Sequence, residues 1–181
     1  MKMAWIVGLL LGYVGAAQAA DGVTVGAWSV DISQDGSFSY AASISQTGEV
    51  LEKTCNTNGG SCGWLVLVKS GCDAGSSYSA LAAGSLGASP IAFQCLADPI
   101  ALQGSTYYRM VVTDPRDIEH LVLGSGFIGI AYALQSGMFH AMRFPIDGAS
   151  KAIQEMEQLA APPARAPTNP SPGSTTGNGD F

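Results

Sequence analysis

From about residue 23 the chain alternates apolar and polar positions with a period of two, broken every eight to twelve residues by small clusters of Gly, Ser, Asn and Asp. Successive side chains on a strand point to opposite faces, so this pattern predicts short antiparallel strands joined by turns. Val23-Thr24-Val25-Gly26-Ala27-Trp28-Ser29-Val30-Asp31-Ile32 reads as one strand stopped by Ser33-Gln34-Asp35-Gly36. Strands follow over 38–44 and 50–54. Residues 64–68, Trp-Leu-Val-Leu-Val, are apolar on both faces and belong at the centre of a sheet. Residues 77–82 and 91–96 form a hairpin around Gly84-Ser85-Leu86-Gly87, and 107–112 is a further strand. Two more, over 127–134 and 139–146, are joined by Gln135-Ser136-Gly137-Met138.

Two segments carry helical signals. Asp114 is expected as N-cap, with Pro115 at the first helical position and Asp117 facing the positive end of the helix dipole, until Gly124-Ser125-Gly126 ends the element. Asp147 is expected to cap a second helix. There Ala152, Ile153, Met156, Leu159 and Ala160 recur at i, i+3, i+4 spacing, with Lys151, Glu155 and Glu157 on other faces. The expected fold class is mainly β (α+β): an antiparallel β-sandwich or barrel-like sheet with one short helix and a C-terminal helix packed on it.

The ends of the chain have a different character. Lys2 precedes an uncharged apolar run that closes in Ala16-Ala17-Gln18-Ala19-Ala20, where Ala17 and Ala19 fit an A-x-A cleavage site. Residues 1–19 are therefore expected to be a signal peptide cleaved after Ala19, with Ala20 the next possibility. The run is too short to span a bilayer, and no later stretch approaches the length required. Residues 162–181 hold five prolines and three glycines with almost no apolar side chains, the composition of a disordered tail. Residues 20–161 remain as one β-rich domain.

Charge narrows the possible partners. The chain is 47% hydrophobic and only 12% charged, with a net charge of −6. Losing Lys2 leaves seven basic and fourteen acidic residues, a net −7. No Lys/Arg cluster exists to displace counterions from a phosphate backbone, so nucleic acid is excluded as a partner. An exterior this poor in charge is inexpensive to desolvate, which points towards association with another envelope protein or with a second copy.

All four cysteines, Cys55, Cys62, Cys72 and Cys95, lie in the mature chain, and an even number in an exported protein reads as two disulfides. Asn58-Gly59 between the first two is the preferred pair of a two-residue type I′ hairpin, which would set Cys55 opposite Cys62 at bridging distance. Cys72 is then left for Cys95. The spacings match neither the C-x₂₋₄-C of zinc sites nor the C-x-x-C of thiol redox enzymes.

Other candidate chemistry is weaker. Gly124-Ser125-Gly126-Phe127-Ile128-Gly129 spells G-x-G-x-x-G, but it follows a helix and enters a strand, the reverse of a dinucleotide site. Asp117, His120 and His140, with Asp114 and Glu119 nearby, could be assembled into an acid/base or metal site. Helix capping and solvation account for those carboxylates, and no serine sits in G-x-S-x-G. No catalytic, cofactor or metal residues are assigned. Trp28, Trp64, Tyr107 and Tyr108, with Tyr40, Tyr78 and Tyr132, are candidates to line a groove for peptide or carbohydrate, against packing in the core.

The leader, the Trp28-Ser29-Val30 strand, the two cysteine pairs and the ending Phe144-Pro145-Ile146-Asp147-Gly148-Ala149-Ser150-Lys151-Ala152-Ile153 resemble the invasion-associated locus B family of small exported bacterial β-rich proteins. The resemblance implies a periplasmic or envelope-associated protein without known catalytic residues, in a family named for contact with host cells. The expected function is a non-enzymatic accessory or assembly subunit that binds another protein. The alternatives are a small-ligand or glycan-binding module or, further off, a hydrolase.

Overall fold

A computed structural model describes residues 22–102, 104–134 and 136–161. The leader with its cleavage site and the 162–181 tail lie outside the described residues. Eleven strands form one antiparallel sheet: β1 (Val23–Val25), β2 (Trp28–Ile32), β3 (Phe38–Ile44), β4 (Val50–Asn56), β5 (Cys62–Val68), β6 (Ser77–Gly84), β7 (Gly87–Cys95), β8 (Ile100–Leu102), β9 (Ser105–Val112), β10 (Phe127–Ala133) and β11 (Phe139–Pro145). Helix α1 (Arg116–Val122) separates β9 from β10, and α2 (Ala149–Ala160) follows β11. The strand order is β1-β2-β3-β4-β5-β9-β7-β6-β10-β11, with β8 attached to β9 alone. The all-apolar β5 sits mid-sheet, as its composition requires.

The sheet is open. It curls until β11 lies beside β3, where the Ser43 hydroxyl donates to the Pro145 carbonyl at 2.8 Å, but the two strands form no backbone ladder. Both helices pack on one face, inserting Ile118, Leu121 and Val122 from α1 and Ala152, Ile153 and Met156 from α2. Trp28 and Trp64 meet edge to face at 6.3 Å and 82° at the centre of this core. Among the described residues no helix is long and apolar enough to cross a membrane.

Three local expectations change. The first strand is two: Val25 pairs directly with Trp28 across a Gly26-Ala27 turn. The apolar phase slips there, from odd positions 23 and 25 to even positions 28 and 30, and the turn restores both sets to the core face. Gly26 has φ +60°, and a Cβ on it would clash with the Asp147 carbonyl, which already accepts the Ala27 N–H at 3.0 Å. Asp147 is accordingly not the helix cap. Gly148, in the left-handed region at φ +83°, precedes α2 without any side-chain cap, packed too close to the Val25 carbonyl for a side chain. At α1 the cap residue is Pro115, while Asp114 accepts the Arg116 N–H at 3.1 Å and binds its guanidinium at 2.6 Å.

Both disulfides form as paired in the sequence reading, Cys55–Cys62 and Cys72–Cys95. The first lies across β4 and β5 in direct register. Its hairpin is longer than two residues, however. Residues 57–60 form the loop, Gly60 N–H donates to the Asn56 carbonyl at 3.0 Å, and the left-handed residue is Gly60 rather than Gly59.

Lys53 fastens the helices to the sheet. Its side chain is only 7% exposed, and its ammonium reaches Glu119 of α1 at 2.5 Å and Glu157 of α2 at 2.9 Å while lying over the Trp64 ring. Burial alone would lower its pKa, but the two carboxylates more than offset this and raise it. Replacing either Glu by Gln leaves the cation one carboxylate and should cost less than about 1 kcal/mol. Replacing both strands a buried charge, and the double variant should lose about 2 kcal/mol, more than the two singles together. Urea midpoints of the four proteins measure that difference.

Candidate functional site

The faces of the curled sheet divide by residue parity. In β7, β6, β10 and β11 the even or odd positions that miss the core line up across the strands: Pro90, Leu81, Ala131 and Ala141 form one row, and Ala88, Ala83, Gly129 and Arg143 the next. Phe127 and Phe139 stand at opposite ends of β10 and β11 on the same face. Exposed antiparallel faces ordinarily alternate to polar residues. Here Arg143 is the one charged side chain on four strands. Leu81 is 52% exposed and Phe139 77%. Four strands about 4.8 Å apart and seven residues long make a face of about 400 Å², polar only at Ser77, Ser79, Gln94 and Arg143, within the range of the largest patch a monomer carries.

Arg143 marks the border of this face. Its guanidinium carbon lies over the ring of Phe127, 3.4 Å from the centroid. Beside it a cleft of about 420 Å³ opens between the end of β3 and the β10–β11 pair, lined by Ile44, Ser45, Gln46, Phe127 and Pro145.

The aromatic residues expected to line a groove are divided. Trp28 and Trp64 are both 0% exposed and belong to the core packing; neither indole N–H finds an acceptor among the described residues. Tyr132 is buried as well, its hydroxyl bonded to that of Ser70 at 3.1 Å. The half-buried Tyr107, Tyr108 and Tyr78 gather at one end of the sheet. Tyr107 donates to the Gly48 carbonyl at 2.9 Å, Tyr78 accepts the Asp73 N–H at 3.0 Å, and Tyr108 packs over Gly71 beside the second disulfide. Tyr40 stays apart, on the outer face of β3.

The histidines are separated too. His120 is exposed on α1, whereas His140 of β11 tilts against Tyr132 and faces Glu49 at 3.5 Å. Glu49, the carboxylate that the sequence reading overlooked, is 3% exposed. Burial pushes its pKa up, but hydrogen bonds from the Ser45 and Thr47 hydroxyls and the nearby His140 outweigh this and hold it below the ordinary range. Those bonds fold the β3–β4 turn around the carboxylate. His140 Nε2 has no hydrogen-bond partner among the described residues, so no nucleophile–base pair is assembled there. Among the described residues no group of three or more His, Cys, Asp or Glu could hold a metal.

Glu52 sits on the outer face of β4, opposite Ala42 and Leu65. Burial among these apolar neighbours raises its pKa to about 7. A carboxyl with a folded pKa above its unfolded value near 4.5 binds protons more tightly when folded. Stability therefore declines as pH rises from about 4.5 through 7, and the deficit persists above that. Glu52→Gln should raise stability at pH 8 by about 1–3 kcal/mol and leave it unchanged at pH 4.5. Thermal unfolding at the two pH values reads the difference.

Comparison with known proteins places this architecture. No protein-family model matches the chain, and no curated protein matches it by sequence. A solved structure does, with 96% of its own chain covered and 76% of this one, at a TM-score of 0.52 and 14% identity. The chain is similar in fold to invasion associated protein B from Bartonella henselae. The likeness to the Bartonella protein supports the family resemblance carried by the Trp28 strand, the cysteines and the α2 junction. At this identity it speaks for the fold alone.

Leu81, Ala131, Ala141 and Arg143 were not singled out by sequence reasoning. A usable signal was present: the solvent-side positions of β10 are Phe127, Gly129, Ala131 and Ala133, and Leu81, Ala83, Phe139 and Ala141 continue them on β6 and β11, where Ser, Thr and Lys would be ordinary.

Proposed function

We propose that this is an exported envelope protein, released by cleavage after Ala19, that works without catalysis by binding another protein through the outer face of β7-β6-β10-β11. The observation carrying this reading is the nearly uncharged and mostly apolar surface of those four strands, with Leu81, Phe127 and Phe139 exposed on it. The two disulfides suit an oxidising compartment. The face offers about half the area one partner contributes to a standard interface, so contacts beyond the patch are needed for tight binding.

A double variant, Leu81→Glu with Ala131→Glu, places two carboxylates on neighbouring strands of the face, at positions that pair directly. It should unfold within a few degrees of the natural protein, because both side chains point away from the core. In an envelope fraction of the native host the natural protein should migrate in a complex larger than a monomer, and the variant as a monomer. A natural protein that is monomeric at native abundance, or a variant that keeps the complex, would contradict the proposal.

A further inference from the structure

The last strand of the sheet has one side paired and one side open. Among the described residues β11 pairs with β10 alone, and Pro145, opposite Phe127, has no N–H to give to that ladder. In an antiparallel pair, residues that exchange hydrogen bonds alternate with residues whose N–H and C=O point away from the partner strand. With Pro145 of the outward-pointing set, Arg143, Ala141 and Phe139 belong to it too. The carbonyl of Pro145 confirms the parity, since it accepts the Ser43 hydroxyl from the open side. Ala141 and Arg143 are exposed, and no hydrogen bond from another described residue reaches their outward backbone groups.

Natural proteins usually blunt an edge strand with charge, Pro, a bulge or a covering segment. Here Pro145 stops one end, while Arg143 stands in mid-strand as a cation without an anion among the described residues. Every other basic side chain among the described residues has an oxygen partner: Lys53 on Glu119 and Glu157, Arg116 on Asp114, Lys151 on Glu155, Lys69 on the Thr47 carbonyl and Arg109 on the Asp98 carbonyl. Among the described residues Arg143 has only the face of Phe127, which does not neutralise it. The cleft beside it has apolar walls, Ile44 and Pro145, and the Gln46 amide at its rim.

We propose that the open edge of β11 takes an extended segment of the partner protein as an added strand, with a carboxylate of that segment on Arg143 and an adjacent apolar side chain in the cleft. The main-chain groups of Ala141 and Arg143 supply sequence-independent bonds, and Arg143 with the cleft supplies selectivity. This inference rests on the protein-binding reading and adds a recognition element to it, since the edge borders the apolar face.

The probe is a random octapeptide library displayed on phage and selected on the disulfide-intact protein. Selected peptides should carry an Asp, a Glu or a free C-terminal carboxylate, and synthesis with amidated and free termini separates the two sources. On binding they should slow amide exchange at Ala141 and Arg143. Arg143→Gln should weaken them about tenfold. Ala141→Pro, which removes an outward N–H and no ladder bond, should abolish binding; if it unfolds, Arg143→Gln and the exchange pattern decide alone.

Binders without a carboxylate, binders indifferent to Arg143→Gln, or a failure to select any binder would overturn the edge site. So would concentration-dependent protection of the two amides in the protein alone, which assigns the edge to a second copy. None of these results touches the outer-face reading, which fails only if the natural protein lacks a complex that Leu81→Glu with Ala131→Glu disrupts.

Discussion

Trp64→Ala should destabilise the fold by about 3–5 kcal/mol, among the largest single-residue effects the structure supports. The indole is fully buried, packs edge to face on Trp28, and carries the Lys53 ammonium over its ring. Truncation removes the apolar burial, leaves a cavity at the meeting point of sheet and helices, and withdraws a favourable surface from a buried cation. Trp64→Phe keeps most of the volume and should cost considerably less. Phe139→Ala is the contrasting case: the ring is 77% exposed, and its loss should change stability by no more than about 0.5 kcal/mol. Guanidinium midpoints at constant slope measure all three. If Trp64→Ala and Phe139→Ala cost the same, the placement of Trp64 in the core is wrong.

The second large effect is reduction. Cys72–Cys95 spans a sequence separation of 23 and Cys55–Cys62 one of 7. On the chain-entropy account the longer loop contributes about 3 kcal/mol and the shorter about 2. Losing both removes about 5 kcal/mol, comparable with the whole stability of many domains of this size. The Cys72→Ala, Cys95→Ala pair should therefore lower the denaturant midpoint more than the Cys55→Ala, Cys62→Ala pair. Reductant should shift the natural protein by roughly the sum. The opposite order would show that the β4–β5 bridge acts through native packing, not loop closure.

Much of this architecture is legible along the chain because strand periodicity reports burial directly. The apolar run at 64–68 marks the sheet centre, and the i, i+3, i+4 set from Ala152 to Ala160 marks the buried stripe of α2. The cysteine pairs follow from one hairpin. What escapes the sequence is set by long-range geometry. Lys53 alternates like any polar strand residue, and only the folded chain shows it between Glu119 and Glu157, 66 and 104 residues away. Glu49 and His140 meet for the same reason. The Gly26-Ala27 turn was hidden because Val23-Thr24-Val25 before it and Trp28-Ser29-Val30 after it read as one continuous strand. Its phase slip was visible, and so was the apolar outer parity of β10. Closure could not be read from the sequence either: sandwich, barrel and open sheet share one alternation, and whether β11 bonds to β3 depends on curl.

The proposed function stands on contact between the outer face of β7-β6-β10-β11 and a partner in the envelope. Photo-crosslinking in living cells of the native host tests it most directly, with a benzophenone amino acid placed singly at Leu81, at Ala131 or, on the helix side, at Gln154. All three positions are exposed or partly exposed in the folded domain. The account predicts one discrete adduct of the same mass from Leu81 and Ala131, lost when the neighbouring face residue is changed to Glu, and none from Gln154. Adducts from Gln154 alone, or equal labelling from all three positions, would contradict it.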